Sequence, residues 1–252
     1  MKDMTPVIIT NPGSQSGYSQ IDPQSLENMP LAQYYRMAGN IVNAQSALYY
    51  DTAVYTAGTA LTQGQKVALF TKGKAQSATV TNTGVAIPEK GEFMTNMITD
   101  GEFEGGTTFI LEQICVDLSL TSEVPTALGV RGEQTAPNYT ASVVISATNN
   151  FKAYTEQIEL QYLRNEDVKL RSLLRFWPSP FGASGTFGSP NAGFIQNGYQ
   201  PNGFNLLSRP VVLQSEDRFS MVLNPVVATW TPTIGATIRV LMLGKAIKTF
   251  AP

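Results

Sequence analysis

From about residue 60 onward the chain is a succession of short apolar or alternating runs separated by turn residues, and this pattern narrows the fold more than any other feature. Residues 66–71 and 77–80 flank Gly73, residues 107–120 form a long apolar run after Gly105-Gly106, and residues 142–147 continue the series. Residues 211–213, 219–223 and 238–243 close it, bounded by Ser215-Glu216-Asp217, Asn224-Pro225 and Thr233-Ile234-Gly235. In residues 158–162 apolar and polar side chains alternate, and the same period returns at Val168, Leu170, Leu174 and Phe176 after the turn Arg164-Asn165-Glu166-Asp167, which predicts a hairpin. Many strands beside a single helix predict an all-β protein, an antiparallel sandwich and not a doubly wound sheet.

The helix is expected over residues 31–52. There Leu31, Tyr34, Tyr35, Ala38, Ile41, Val42, Gln45, Leu48 and Tyr49 recur at steps of three and four, behind Asn28 as a cap and Pro30 in the first turn. Its apolar face either packs on the chain's own sheet or makes Tyr34, Tyr35 and Ile41 candidates for subunit contact. Residues 1–30, with Pro6, Pro12, Pro23 and Pro30 among Gly, Ser, Gln and Asn, read as an extended N-terminal arm with little core of its own. Residues 53–252 are then the sandwich, carrying a long insert at 178–210. Loops of that length are uncommon without a role, and this one holds Phe181, Phe187, Phe194, Tyr199 and Phe204, so these five rings join the subunit-contact candidates, the alternative being that the insert folds over its own sheet.

Composition narrows the function. The 252 residues contain no histidine, which removes Ser-His-Asp triads, Cys-His dyads and most zinc sites together. We therefore expect no enzyme and no cofactor. Charged residues make up 14% of the chain, against roughly 25% in an average soluble domain, which suits a surface covered by neighbours. The formal charge of −2 offers no general attraction to nucleic acid. Cys115 lies in an apolar run and reads as a buried small hydrophobe. The first residues lack the pattern of a secretory signal, so the sequon at Asn138 is expected to carry no sugar, and no run approaches the roughly 20 apolar residues that span a bilayer.

Three groups of residues invite a chemical reading. Alternation in a strand over residues 168–177 places Lys169, Arg171 and Arg175 on one side, where they would meet phosphates or lipid headgroups; the simpler reading is a solvated face. Asp100, Glu102 and Glu104 also alternate and would share a side if extended, as a cation site or a glycosidase pair, though an acidic turn without metal explains them as well. Trp177 and Trp230, each close to a proline, read as rings packed under loops or as a sugar-stacking platform.

Residues 215–223 followed by 236–245, together with Thr95-Asn96-Met97 ahead of residues 109–112, resemble the closing strands and an early strand of jelly-roll coat proteins from tailless icosahedral bacterial viruses. The resemblance spans residues 60–252. It implies a self-assembling capsid subunit in a virion assembled in the host cytoplasm, with copies of itself and other virion proteins as partners, and in some members an internal viral membrane surface beneath. One embellished jelly roll is favoured over two compact barrels, because the arm and the insert use residues that a second barrel needs. The arm lacks the strongly basic run of genome-binding coat proteins, so no sequence-specific nucleic acid is expected. The other function class in view is a receptor- or glycan-binding sandwich such as a fibre or spike head, with the tryptophans and insert aromatics lining its site.

Overall fold

The longest apolar run becomes the longest strand, Thr107–Thr121. A computed structural model describes residues 7–10, 18–76, 78–79, 86–87, 90, 94–121, 141–177 and 206–248. The chain opens with the antiparallel pair β1 (Val7–Thr10) and β2 (Tyr18–Ile21), then α1 (Pro23–Glu27) and α2 (Leu31–Ala38). It continues through β3 (Ala44–Tyr55), β4 (Leu61–Thr62), β5 (Val67–Leu69), β6 (Ala78–Thr79), β7 (Ala86–Ile87) and β8 (Thr107–Thr121). After α3 (Ala141–Gln157) come β9 (Ile158–Arg164), β10 (Asp167–Leu173) and one 3-10 turn, Leu174–Phe176. The last strands are β11 (Leu206–Leu213), β12 (Phe219–Pro225), β13 (Thr229–Trp230) and β14 (Gly235–Lys248).

Two four-stranded antiparallel sheets dominate, in the orders β11-β8-β14-β3 and β10-β9-β12-β5. Their facing sides share one hydrophobic core, as a two-layer sandwich requires. From the first sheet Ala236, Ile238, Val240 and Met242 of β14 point inward at every second residue; from the second, Phe219, Met221 and Leu223 of β12 meet Ile158, Leu160 and Tyr162 of β9. Each fully buried large side chain of this kind contributes roughly 1.5–3 kcal/mol. At one edge of the core Phe103 stacks on Phe219 at 4.9 Å, and Tyr49 stands edge-on to Phe109 at 5.0 Å.

One register shift interrupts the longest pairing. Leu243 pairs with Gln113 but Gly244 pairs with Leu111, so Glu112 is the extra residue of a β-bulge in β8. The inward set of β8 consequently changes phase, from Phe109 and Leu111 to Ile114, Val116 and Leu118. A side chain at position 244 has no room, since a Cβ there would lie 1.9 Å from the Ile110 carbonyl oxygen.

Three expectations need correcting. The helix over 31–52 is α2 alone, because the chain turns after Gly39, Asn43 takes φ +59°, and the twelve residues from Ala44 to Tyr55 pair with Ala236–Ile247 of β14. Residues 142–147 belong to α3, a helix of 17 residues, and not to a strand. The N-terminal segment, where described, is no free arm. Val7, Ile9, Leu26, Tyr34, Ala38 and Ile41 form a second buried cluster with Ile110, Val212 and Ile247, so this segment covers the outer side of the first sheet.

Polar ties hold that cover in place. The Tyr34 hydroxyl donates to Glu112 Oε1 at 2.7 Å, and Glu27 Oε1 accepts from the Val212 amide and from the Arg164 guanidinium, which also donates to Asp217 at 2.9 Å. Tyr34→Phe is expected to lower the unfolding free energy by about 1–2 kcal/mol, read by urea denaturation, because a buried ring would keep its packing and lose a bond to a carboxylate. Burial alone would raise the Asp217 carboxyl, but the Gln214 amide and the Arg164 guanidinium hold it below the usual carboxylate range. An acid with a depressed folded-state pKa contributes stability above its unfolded value of about 4 and loses it as the pH falls. Asp217→Asn should therefore lower stability at neutral pH and flatten its decline between about pH 4 and pH 2, measured by urea midpoints across that range.

Candidate functional site

An open groove of about 720 Å³ lies where the turns after β5 and before β8 meet the β9–β10 turn and the start of β12. Backbone bonds pin its walls. The Gly73 amide donates to Asp100 Oδ1 at 3.2 Å, the Lys74 amide to the Met97 carbonyl at 2.7 Å, and the Phe219 amide to the Gly101 carbonyl at 2.9 Å. Gly101 is required by its turn: φ is +64°, and a Cβ would come within 2.9 Å of the Phe219 carbonyl oxygen. Next to Thr71, the Phe70 amide donates to the buried Asp51 carboxylate at 2.6 Å, which also accepts from Lys90 Nζ at 2.6 Å, and Phe70 takes φ +64° where the chain leaves β5.

The charged side chains of the groove are mostly acidic. Asp100, Glu102 and Glu166 line it with Arg218, the hydroxyls of Thr71, Thr99 and Ser220, and the exposed side chain of Ile98. Arg218 Nε donates to Glu102 Oε1 at 2.9 Å. Thr71, Gln76, Ile98, Thr99, Arg218 and Ser220 were not legible as a site, since they come from three segments far apart in the chain and share no spacing.

Of the three carboxylates expected on one side, Asp100 and Glu102 line the groove and Glu104 does not. Asp100 serves the Gly73 amide, Glu102 pairs with Arg218, and Glu104 faces Lys248 at 4.0 Å, because the chain bends at Gly101 and does not run extended. No cluster of three metal-ligating side chains occurs among the described residues.

Lys169 and Arg171 stand exposed on β10, with Lys169 paired to Asp167 at 3.2 Å. Arg175 is not on that strand: it sits in the 3-10 turn, 4.6 Å above the Phe176 ring and 3.6 Å from Glu156 of α3. Among the helix-face candidates only Tyr35 is exposed; Tyr34 and Ile41 are buried against the first sheet and cannot meet a neighbour. Phe181, Phe187, Phe194, Tyr199 and Phe204 lie outside the described residues, and β11 begins at Leu206, inside the range expected for the insert.

The tryptophans form no open platform. Trp177 is buried, its indole donating to the Ser172 carbonyl at 3.3 Å, and Trp230 packs edge-on against Tyr154 at 4.7 Å. Cys115 is buried, and burial pushes its thiol up to about 12, which keeps it protonated at neutral pH. Among the described residues, no helix is long and apolar enough to cross a membrane. Neither a protein-family model nor a curated protein sequence matches this chain.

Proposed function

We propose that this chain is a structural virion protein, the subunit of an icosahedral capsid shell, and that its sandwich is a single jelly roll. The order of strand pairing carries the reading. Taken along the chain, the eight strands of the two large sheets are β3, β5, β8, β9, β10, β11, β12 and β14. The first pairs with the last, the second with the seventh, the third with the sixth and the fourth with the fifth. The eighth also pairs with the third, and the seventh with the fourth. A long antiparallel ribbon rolled over itself produces this order, and double-sheet rolls of eight strands are the architecture of viral capsid and lectin domains.

Fold alone does not choose between those two uses. The side chains favour the shell. The two tryptophans expected in a sugar site give it little, since Trp177 is buried and Trp230 packs against Tyr154, and among the described residues no exposed ring lines the groove. Low charge and a covered first sheet suit lateral packing of copies, each specific contact burying about 1,200–2,000 Å². In a shell every subunit repeats the same contacts, so modest interfaces suffice.

Light scattering and negative-stain imaging of the purified full chain over a range of concentrations test the proposal. Closed particles, or rings of fixed copy number, are expected. A solitary globule at every concentration overturns it, and saturable glycan binding by that globule would favour the fibre-head alternative.

A further inference from the structure

The N-terminal cover is built as a unit apart from the sandwich. Val7, Ile9, Leu26, Tyr34, Ala38 and Ile41 gather in a cluster distinct from the shared core, and Ile110, Val212 and Ile247 of the large sheets complete it. Its ladder is its own: β1 pairs with β2, the Thr10 amide donates to the Asn40 carbonyl and the Val42 amide to the Ile8 carbonyl, both at 2.8 Å. Among the described residues, no strand of the cover pairs with a strand of either large sheet. That ladder ends at Asn43, φ +59°, and the pairing of β3 with β14 begins at Ala44.

Side chains make the ties to the sandwich. Glu27 Oε1 accepts from the Val212 amide at 3.0 Å and from Arg164 Nη1 at 2.5 Å, and Lys245 Nζ donates to the Ala38 carbonyl at 2.7 Å. Parting these groups strands no buried charge, because Arg164 keeps Asp217 at 2.9 Å and the Glu27 side chain is already 30% exposed. Chains below about 40 residues seldom hold a core alone, so a cover that lifts off also unfolds. From the separate cluster, the ladder that ends at Asn43 and the side-chain ties, we infer that the described part of residues 7–42 opens from the sandwich as one cooperative strap, held shut by Glu27, while both large sheets stay folded. Opening uncovers Ile110, Val212 and Ile247, an apolar patch that the closed protein hides. The strap works in a lone chain, whether or not copies assemble.

Native-state hydrogen exchange of the full chain tests it, read at the Thr10, Tyr34 and Val42 amides of the strap and at the amides of β12 in the sandwich. The strap amides should share one opening constant, larger than that of β12. Glu27→Ala removes ties that only the closed state has, so strap and β12 amides should both exchange at least about tenfold faster. Ile158, buried in the shared core, is untouched by opening. Ile158→Val therefore weakens the open and closed states alike, and should speed exchange in β12 about two- to tenfold while leaving the strap amides unchanged. If Ile158→Val speeds the strap as much as β12, cover and sandwich unfold together and the strap is wrong. If Glu27→Ala speeds the amides of α1 alone, the segment frays and does not open as a unit.

Discussion

Lys90→Met is expected to lower the unfolding free energy by about 3–5 kcal/mol, because it leaves the Asp51 carboxylate buried without its counter-charge. Asp51 is 0% exposed and Lys90 Nζ lies 2.6 and 2.7 Å from its two oxygens, so no water replaces the lost ammonium. The two partners are not equivalent. Asp51 also accepts from the Phe70 and Thr52 amides, so Asp51→Ala orphans two backbone donors as well as the lysine and should cost more than Lys90→Met. The double variant should recover part of the loss but not the part owed to those amides. Burial pushes the Asp51 carboxyl up, against the opposing pull of Lys90 and the two amides. Without Lys90 that upward shift grows, so the folded state of Lys90→Met takes up a proton that the unfolded chain does not. Its stability then falls as the pH rises, and the deficit should be smaller at about pH 5 than at about pH 8. Urea denaturation of the parent and three variants at both pH values measures each of these differences. An equal deficit at both pH values would contradict the account.

Gly244→Ala is the second large effect. The added methyl would sit 1.9 Å from the Ile110 carbonyl oxygen and 2.9 Å from its carbon, both rigid backbone atoms in the middle of the β8–β14 pairing. The strands must separate or lose the bulge, and losing the bulge would slip the phase that turns Phe109 and Leu111 inward on one side of it and Ile114, Val116 and Leu118 on the other. We expect a loss of at least about 3 kcal/mol, beyond ordinary overpacking because a flexible side chain cannot give way. Thermal unfolding followed by near-ultraviolet circular dichroism checks it. A variant as stable as the parent would show that the bulge tolerates a methyl group.

The sequence was most readable where local period and tertiary environment agree. β8, β12, β14 and the β9–β10 hairpin stand close to where alternation and turn residues put them, since one side of each meets the shared core. It misled where one stretch satisfies two periods. In residues 44–50, Leu48 and Tyr49 continue the helical spacing of α2, yet Ala47 and Tyr49 also alternate inward, and twelve residues of pairing with β14 outweigh the helix. The signals for the break, Gly39-Asn40 and Asn43, were present but weaker than the apolar recurrence. In residues 142–147 a β-branched run looked like a strand, and the helix formers farther along α3 carry it into a helix that packs Tyr154 into the core. The groove and the Asp51–Lys90 pair left no local trace, because their members lie far apart along the chain and only the fold unites them.

The position of β14 has a consequence for how the protein is made. This strand separates β8 from β3, so neither has its neighbour on that side until β14 has left the ribosome. The growing polypeptide must hold the apolar side of β8 without its principal partner while the residues between β8 and β14 are made, and closure afterwards depends on contacts between segments remote in sequence, which form slowly. Such a chain exposes sticky surface while it waits, and a chaperone that shields β8 during synthesis should raise the yield of folded product.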